Sequence, residues 1–211
     1  MDVSFWHKKW ENNEIAFHRS RPNPLLVDHF KALSLNAGSV VFVPLCGKTL
    51  DIAWLLSNGY RVAGVELVES AIEQLFAELG MVPKISVAGE IKHYSAKNID
   101  IYVGDIFTIS QDLLGPVDAI YDRAALVALP EDLRRRYTAH LREITHESPQ
   151  LLIAYHYDQN LVQGPPFSIS DEEVSQHYKD CYSLTLVVST DVEGGMKGKC
   201  KAIENVWLLQ K

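Results

Sequence analysis

The chain has 211 residues, of which 47% are hydrophobic and 22% are charged, and its formal net charge is −7. This length and composition are typical of one folded domain with a substantial core, so we expect a single domain over residues 1–211. The acidic balance argues against a nucleic-acid partner, because a nucleic-acid groove is normally basic. No stretch approaches about 18 apolar residues, so neither a transmembrane helix nor a membrane partner is expected.

The N-terminal segment is rich in Trp, Phe, His and Arg. Residues 4–12 and 24–34 predict two short helices, and Trp6 and Trp10 lie four positions apart on one face of the first. Two interpretations remain open. Either the tryptophans pack the segment onto the domain, or residues 1–35 form a helical lid whose aromatic faces cover a flat or cationic ligand. Both can hold for different residues.

A β-loop-α-β unit is predicted over residues 40–66. An apolar, β-branched strand at 40–43 is followed by the turn Pro44-Leu45-Cys46-Gly47-Lys48 and by a helix. A second strand at 61–65 ends at Glu66. Because parallel strands joined by a helix point the same way, the turn and Glu66 should meet at one edge of the sheet.

This unit suits a ligand that carries a ribose. Glu66 follows Gly47 by nineteen positions, close to the ~20 expected for an acidic residue that binds ribose hydroxyls. The turn has one glycine where a dinucleotide pyrophosphate requires three. S-adenosylmethionine, which has a ribose and no pyrophosphate, therefore fits better. The alternative is a generic α/β unit in which Glu66 is merely solvated.

Strands and helices alternate through the rest of the chain. Apolar runs predict strands over 99–103, 117–121, 151–155, 182–190 and 202–209, and periodic segments predict helices over 68–79, 131–145 and after Ser170. Residues 80–98 are long for a connection, so they form an insertion or a small element of their own. The arginine run 134–136 is predicted to lie on the solvated face of its helix.

The alternation predicts an α/β, Rossmann-like fold with about seven mostly parallel strands, a C-terminal antiparallel hairpin and helices on both faces. Leu45, Glu66, Asp105 and Arg123 follow the first four strands and so share the carboxyl edge of the sheet. Asp105 either reads an adenine amino group or is a plain turn aspartate. Arg123 either holds an anionic group or forms a salt bridge with Asp122.

Cysteines and histidines are scattered along the chain. Cys46, Cys181 and Cys200 are odd in number and form no C-x-x-C motif, which favours a reduced, cytoplasmic protein. The eight histidines form no H-E-x-x-H motif and no cluster with cysteine, so no metal site is expected. A monomer is the default expectation.

Several short motifs together resemble one family. They are Trp6-x-x-x-Trp10, Phe17-His18, Pro44-Leu45-Cys46-Gly47-Lys48, Gly64-Val65-Glu66, Asp122-Arg123-x-Ala125-Leu126-Val127-Ala128 and Gly164-Pro165-Pro166-Phe167. This pattern is similar to the thiopurine S-methyltransferase family from about residue 5 to the last strand. The resemblance implies the S-adenosylmethionine-dependent methyltransferase fold, transfer of a methyl group to a thiol, and release of S-adenosylhomocysteine. It also implies cofactor contacts at Trp10, Leu45, Glu66, Asp105, Ile106 and Arg123, and a substrate contact at Phe17.

Other candidates for the substrate site follow from the chemistry of a flat acceptor. Phe17, Pro166 and Phe167 can form an apolar sandwich, although two prolines also simply fix a turn. His18 either lines the pocket or makes a structural hydrogen bond. An aromatic thiol is largely ionised near neutral pH, so the protein needs approach geometry and a dry pocket rather than a strong general base.

The acceptor and the reaction class stay open at this stage. The animal members carry an arginine just before the last strand, and here that region reads only Glu193-Gly194-Gly195-Met196-Lys197. This departure leaves the preference for thiopurines open, and the expected acceptors are aromatic or heterocyclic thiols and, in detoxification, selenium or tellurium compounds. The alternatives are a NAD(P)-dependent oxidoreductase, which would use Glu66 in the same way, and a non-catalytic module that binds S-adenosylmethionine.

Overall fold

The computed structural model describes residues 3–15 and 18–211. Its centre is a nine-stranded sheet in the order β3-β4-β5-β2-β1-β6-β7-β9-β8. The strands are β1 (Val40–Val43), β2 (Arg61–Glu66), β3 (Lys84–Ala88), β4 (Ile91–Ala96), β5 (Ile99–Val103), β6 (Ala119–Arg123), β7 (Gln150–Tyr157), β8 (Ser183–Asp191) and β9 (Ala202–Gln210). The central strands β5, β2, β1, β6 and β7 run parallel, and antiparallel pairs complete both ends. The predicted Rossmann-like α/β fold with a C-terminal hairpin is confirmed.

Seven α-helices lie in the described residues. They are α1 (Val3–Glu11), α2 (Pro24–His29), α3 (Leu50–Ser57), α4 (Glu69–Glu78), α5 (Gln111–Leu114), α6 (Glu131–Ile144) and α7 (Asp171–Tyr178). Side-chain caps mark several starts: Asn23, Thr49 and Ser170 each accept a hydrogen bond from a backbone N–H of the first turn. Within the described residues, no helix has the length and apolar character needed to cross a membrane.

The helices cover both faces of the sheet, as predicted. Alternation along β1 shows why: Val41 and Val43 point into one core and Phe42 into the other. The Val41 side packs against α2, α3 and α4, whereas the Phe42 side packs against α6 and α7. This arrangement leaves the carboxyl ends of the parallel strands clear for a ligand.

Residues 80–98 form the hairpin of β3 and β4, and β4 pairs antiparallel with β5. The sheet therefore has nine strands rather than about seven. Every residue of β3 is exposed, so this strand carries no alternation of buried and exposed positions that a pattern could reveal. Of the two alternatives for this segment, the structure shows a small element of its own.

Candidate active site

A cavity of about 880 Å³ opens at the carboxyl ends of the central strands. This volume lies within the ~300–1,000 Å³ range of small-molecule sites. Leu45, Glu66, Asp105 and Arg123 all line the cavity. The structure thus brings together the four residues that follow the first four predicted strands, because parallel strands end at one edge.

The strand order divides the cavity into two parts. The Glu66 half lies over the ends of β5, β2 and β1 and is lined by Leu45, Gly47, Glu66, Asp105 and Ile106. The Tyr155 half lies towards β7 and β9 and is lined by Arg19, Val127, Tyr155, Pro166 and Met196. Arg123, at the end of β6, lies between the halves.

The Glu66 carboxylate is buried, with 7% of the residue exposed. Its Oε2 accepts a hydrogen bond from Gly47 N at 2.8 Å, and its Oε1 accepts one from Val68 N at 2.9 Å. Burial raises the pKa of Glu66, and these backbone N–H groups oppose that rise. The alternative of a solvated Glu66 is therefore wrong. Because each carboxylate oxygen can accept a second hydrogen bond, the fixed carboxylate can also receive ligand hydroxyls.

The turn after β1 has an unusual backbone. Leu45 and Gly47 have positive φ angles of 46° and 50°, in the left-handed region that favours glycine. A Cβ on Gly47 would lie 3.1 Å from Cζ2 of Trp10, so the glycine lets the indole pack on the turn. Burial and the Glu66 carboxylate raise the pKa of the Cys46 thiol, which keeps it protonated and unsuited to act as a nucleophile.

Helix α1 forms one wall of the cavity. Trp10 packs on Val68 and Ala71, and Trp6 contacts the same cluster. Both rings also line the cavity. The structure thus shows that the tryptophans pack the segment onto the domain, and the lid over a ligand stays a prediction. Helix α2, by contrast, packs into the core beneath the sheet.

Asp105 and Ile106 begin the turn after β5. One carboxylate oxygen of Asp105 accepts a hydrogen bond from Phe107 N at 3.0 Å, as a turn aspartate does. The residue is exposed and lines the cavity, so its other oxygen can also serve a ligand. His140 of α6 hydrogen-bonds to Ile106 O at 2.9 Å and holds this turn in place.

Asp122 does not pair with Arg123. Its Oδ1 accepts from Leu126 N at 3.1 Å and its Oδ2 from the Tyr137 hydroxyl at 2.7 Å. Burial raises the pKa of Asp122 to about 6, against the effect of these hydrogen bonds. The proposed salt bridge is therefore wrong, and the Arg123 side chain lines the cavity.

Two of the four residues predicted to bind the substrate line the cavity. Phe17 lies outside the described residues, His18 lines the cavity near Lys48, and Pro166 lines the Tyr155 half. Phe167 does not appear among the described residues that line the cavity: a Cβ on Gly164 would collide with its ring, and the Arg134 guanidinium lies 5.7 Å from the ring centroid. Phe167 thus packs against Gly164 of its own loop and lies near Arg134 of α6.

Arg19 and Arg123 bring positive charge to the Tyr155 half, and the His18 imidazole also lines the cavity. Burial and the nearby Lys48 lower the pKa of His18, so the imidazole is neutral at pH 7. Arg19 forms an ion pair with Glu204 at 3.6 Å. Burial and Glu204 raise the pKa of Tyr155, whereas Arg123 and Arg19 lower it. The phenol therefore lies near both guanidinium groups.

The arginine run of α6 is only partly a solvated face, since Arg135 and Arg136 are exposed and Arg134 is not. Arg134 is buried and donates to Glu173 at 2.6 and 3.1 Å. Arg136 lies over the Phe107 ring at 4.5 Å from its centroid and lines the cavity. Arg135, paired with Glu131 on the surface, matches the prediction, and Arg136 is exposed as predicted although it also reaches the cavity. Three consecutive helical residues point about 100° apart, so a run of one residue type cannot occupy one face.

Sequence reasoning missed other lining residues, among them Arg19, Phe107, Arg136, Tyr155 and Met196. Tyr155 lies near the carboxyl end of a parallel strand, so the rule that identified Arg123 would also have identified it. Met196 lies in the connection between β8 and β9, where no pattern points towards the cavity. In the part of the chain that the structure describes, no group of three His, Cys, Asp or Glu residues could hold a metal ion.

Solved structures with this fold define the class. A methyltransferase dependent on S-adenosylmethionine from Methanosarcina mazei has a TM-score of 0.65 and 13% identity, with 90% of this chain and 98% of that chain covered. The 1,6-didemethyltoxoflavin-N1-methyltransferase of Burkholderia thailandensis, solved with S-adenosylhomocysteine, has a TM-score of 0.66 and 15% identity, with 99% and 87% covered. At these identities the likeness shows the fold: that of S-adenosylmethionine-dependent methyltransferases.

Sequence comparison then shows the family. The profile of the family described as thiopurine S-methyltransferase matches residues 1–211, and the chain belongs to this family. Thiopurine S-methyltransferase of Xanthobacter autotrophicus is 51% identical over 212 residues, covering 100% of both chains. That of Teredinibacter turnerae is 51% identical over 211 residues, covering 100% of this chain and 98% of the other.

The predicted family and cofactor are confirmed. The protein is a methyltransferase that uses S-adenosylmethionine. The comparisons give no support to the oxidoreductase alternative or to a non-catalytic module.

Proposed function

We propose that the enzyme methylates the sulfur of aromatic or heterocyclic thiols, thiopurines among them. The observation that carries this proposal is the joining of two unlike half-sites in one cavity. One half presents a buried carboxylate anchored by backbone N–H groups. The other combines apolar walls with guanidinium groups, which suits a flat anionic acceptor. The names of the family and of its close relatives support the same reaction.

The residues of the Glu66 half fit the cofactor. Glu66 would accept hydrogen bonds from the ribose hydroxyls, and Asp105 and Ile106 would bind the adenine. Trp10 offers an aromatic face to the positively charged sulfur, and Leu45 offers apolar contact. When bound, S-adenosylmethionine supplies a methyl group activated by that charge, with a neutral thioether as the leaving group.

The chain's own residues orient the acceptor and exclude water. Arg123, between the halves, would hold either the cofactor carboxylate or the acceptor thiolate by charge-assisted hydrogen bonds. His18 is neutral at pH 7 and adds no competing positive charge. An aromatic thiolate needs no strong base, so approach geometry and a dry site are the main requirements. Helix α1 would act as the lid, since Trp6 and Trp10 line the cavity from one side.

The wider role is part of the same proposal. Selenium and tellurium compounds are soft nucleophiles like thiols, so one cavity would serve all three, and a role in detoxification follows. A cytoplasmic location is supported by the three cysteines, which form no disulfide. The acidic net charge of −7 supports a small-molecule acceptor rather than a nucleic acid. We expect the protein to work as a monomer.

Calorimetric titration with S-adenosylhomocysteine tests the Glu66 half. We expect one site per chain, a loss of affinity of at least about 100-fold in Glu66→Ala because two charged hydrogen bonds disappear, and no binding of NAD, which serves as the control. At about 100 times Kd the ligand should raise the free energy of unfolding by about 2.7 kcal/mol. Binding of NAD instead would favour the oxidoreductase alternative.

A panel of small thiols with labelled cofactor tests the Tyr155 half. Turnover of aromatic thiols and thiopurines is expected. Binding of S-adenosylhomocysteine without turnover of any thiol, selenol or tellurium compound would refute the proposal and leave a non-catalytic binding module.

A further inference from the structure

One cationic side chain of the Tyr155 half, that of Arg19, is not among the residues proposed to bind the cofactor. Arg19 lines the cavity and forms its ion pair with Glu204 of β9. Glu204 lies directly opposite Tyr155 in the pairing of β7 with β9. Since Leu45, Glu66 and Asp105 lie over β1, β2 and β5, Arg19 is on the acceptor side of the cavity.

The contact between Arg19 and Glu204 is loose. It measures 3.6 Å, whereas the buried pair of Arg134 and Glu173 has two contacts of 2.6 and 3.1 Å. Glu204 is 8% exposed, and among the described residues its Oε1 has no hydrogen-bond partner. A guanidinium has five N–H donors, so the contacts of Arg19 with Glu204 and with the Tyr155 hydroxyl orient its side chain and leave donors for a further anion.

The residues around Arg19 define the shape of the acceptor that would carry this anionic group. Val127, Pro166 and Met196 supply apolar contact in the same half of the cavity. Arg123 lies at the boundary with the Glu66 half, where the reacting sulfur must come. A flat acceptor that spans this half would therefore have its thiolate near Arg123 and its opposite end near Arg19.

We propose that Arg19 selects methyl acceptors that carry a second anionic group, a carboxylate on the aromatic ring remote from the thiol. This inference rests on the proposed function. In the transfer, the thiolate sulfur forms a bond to the methyl carbon while the bond from that carbon to the cofactor sulfur breaks and leaves its electron pair on that sulfur. The carboxylate of the acceptor is unchanged and serves only for recognition.

The test compares kcat/KM for 4-mercaptobenzoate and for 4-methylbenzenethiol, which replaces the charged carboxylate with an uncharged methyl group. The enzymes are wild type, Arg19→Gln, Arg19→Lys and the control Arg21→Gln, which changes an exposed arginine two positions further on. In Arg19→Gln, kcat/KM for 4-mercaptobenzoate should fall by about tenfold to a hundredfold more than kcat/KM for 4-methylbenzenethiol. This is the range expected for the loss of hydrogen bonds to a charged group.

In Arg19→Lys, the ratio of kcat/KM for 4-mercaptobenzoate to kcat/KM for 4-methylbenzenethiol should partly recover. The change in Arg19→Gln should be mainly a change in KM. Arg21→Gln should keep the wild-type ratio. An equal loss on both thiols in Arg19→Gln would show a structural role for Arg19 and overturn the inference, as would an unchanged ratio. Titration of each variant with S-adenosylhomocysteine shows whether the Glu66 half is intact.

Failure of the proposed function would look different, since wild type would then methylate neither thiol. The inference would still be tested, by titrating 4-mercaptobenzoate into each enzyme saturated with S-adenosylhomocysteine. Weaker binding to Arg19→Gln than to Arg21→Gln supports the selection of a carboxylate, and equal binding refutes it.

Discussion

The two halves of the cavity are built in different ways. In the Glu66 half, the key carboxylate is held by backbone N–H groups of Gly47, in the turn after β1, and of Val68, just after β2. In the Tyr155 half, side chains from distant segments converge, and the contact between Arg19 and Glu204 is 3.6 Å long. Backbone anchoring fixes the cofactor side, whereas side chains and loops leave the acceptor side adjustable.

Loops of the Tyr155 half also contact each other. Lys197, in the connection between β8 and β9, donates to Pro165 O at 2.9 Å. Pro166 and Met196 line the cavity from these same two loops. Acceptor preference can therefore change through loop residues without disturbing the carboxylate that serves the cofactor.

Arg123 joins the halves, so its removal should have the largest effect. We expect Arg123→Ala to lower kcat/KM for thiol methylation by at least about 100-fold, because charge-assisted hydrogen bonds are lost. The free energy of unfolding should change by less than about 1 kcal/mol, the usual result away from the core. Initial rates and urea denaturation measure the two quantities. Arg123→Lys should recover little, since lysine lacks the planar fork; comparable losses of rate and stability would contradict this role.

The raised pKa of Asp122, the residue before Arg123, can be tested through the pH dependence of stability. Its pKa in the folded protein is about 6, above the ordinary 3.8, so folding favours the protonated carboxyl. The wild-type free energy of unfolding should therefore fall, relative to Asp122→Asn, as the pH rises from 4 to 8. The difference between the two proteins should change by about 2.4 kcal/mol over this interval. Denaturation curves at several pH values measure it, and a difference that does not vary with pH would rule out the raised pKa.

A methyl group at Gly47 should damage the Glu66 half selectively. Gly47→Ala adds a Cβ 3.1 Å from the Trp10 ring at a φ of 50°. We expect about a tenfold weaker affinity for S-adenosylhomocysteine, since misplacing Trp10 and the turn costs on the order of 1–3 kcal/mol. Gly59→Ala is the matched control, because its φ is 84° and nothing lies near its Cβ. Equal affinities of the two variants would show that the turn tolerates the clash.

The smallest expected effect concerns the outer rim of the Glu66 half. Arg136 stacks on Phe107 beside Asp105 and Ile106, where the adenine is expected. We expect Arg136→Ala to weaken S-adenosylhomocysteine binding by about fivefold, the size of an exposed cation–π contact. Arg135→Ala, one position earlier on the surface, should bind like wild type in the same titration. A loss shared by both variants would point to the charge of α6 rather than to the stacked ring.

Local patterns were sufficient for the Glu66 half. The apolar run of β1, the turn and the acidic residue at the end of β2 lie within one short unit, so their positions follow from periodicity and from the geometry of parallel strands. The same rule located Arg123. It could not reveal that Glu66 is buried and held by the turn, because these contacts depend on how the turn and the start of α4 fold around the carboxylate.

The sequence by itself determined the α/β class, the family, the cofactor and the strand-end residues, because each depends on short-range order along the chain. Only the tertiary structure decided that β3 and β4 form a hairpin and that Arg134, Arg135 and Arg136 have different partners. It also decided that the Phe167 ring packs against Gly164. It alone placed Arg19 against Glu204, residues that are far apart in sequence. Such contacts depend on the packing of helices and loops on the sheet, which no local pattern records.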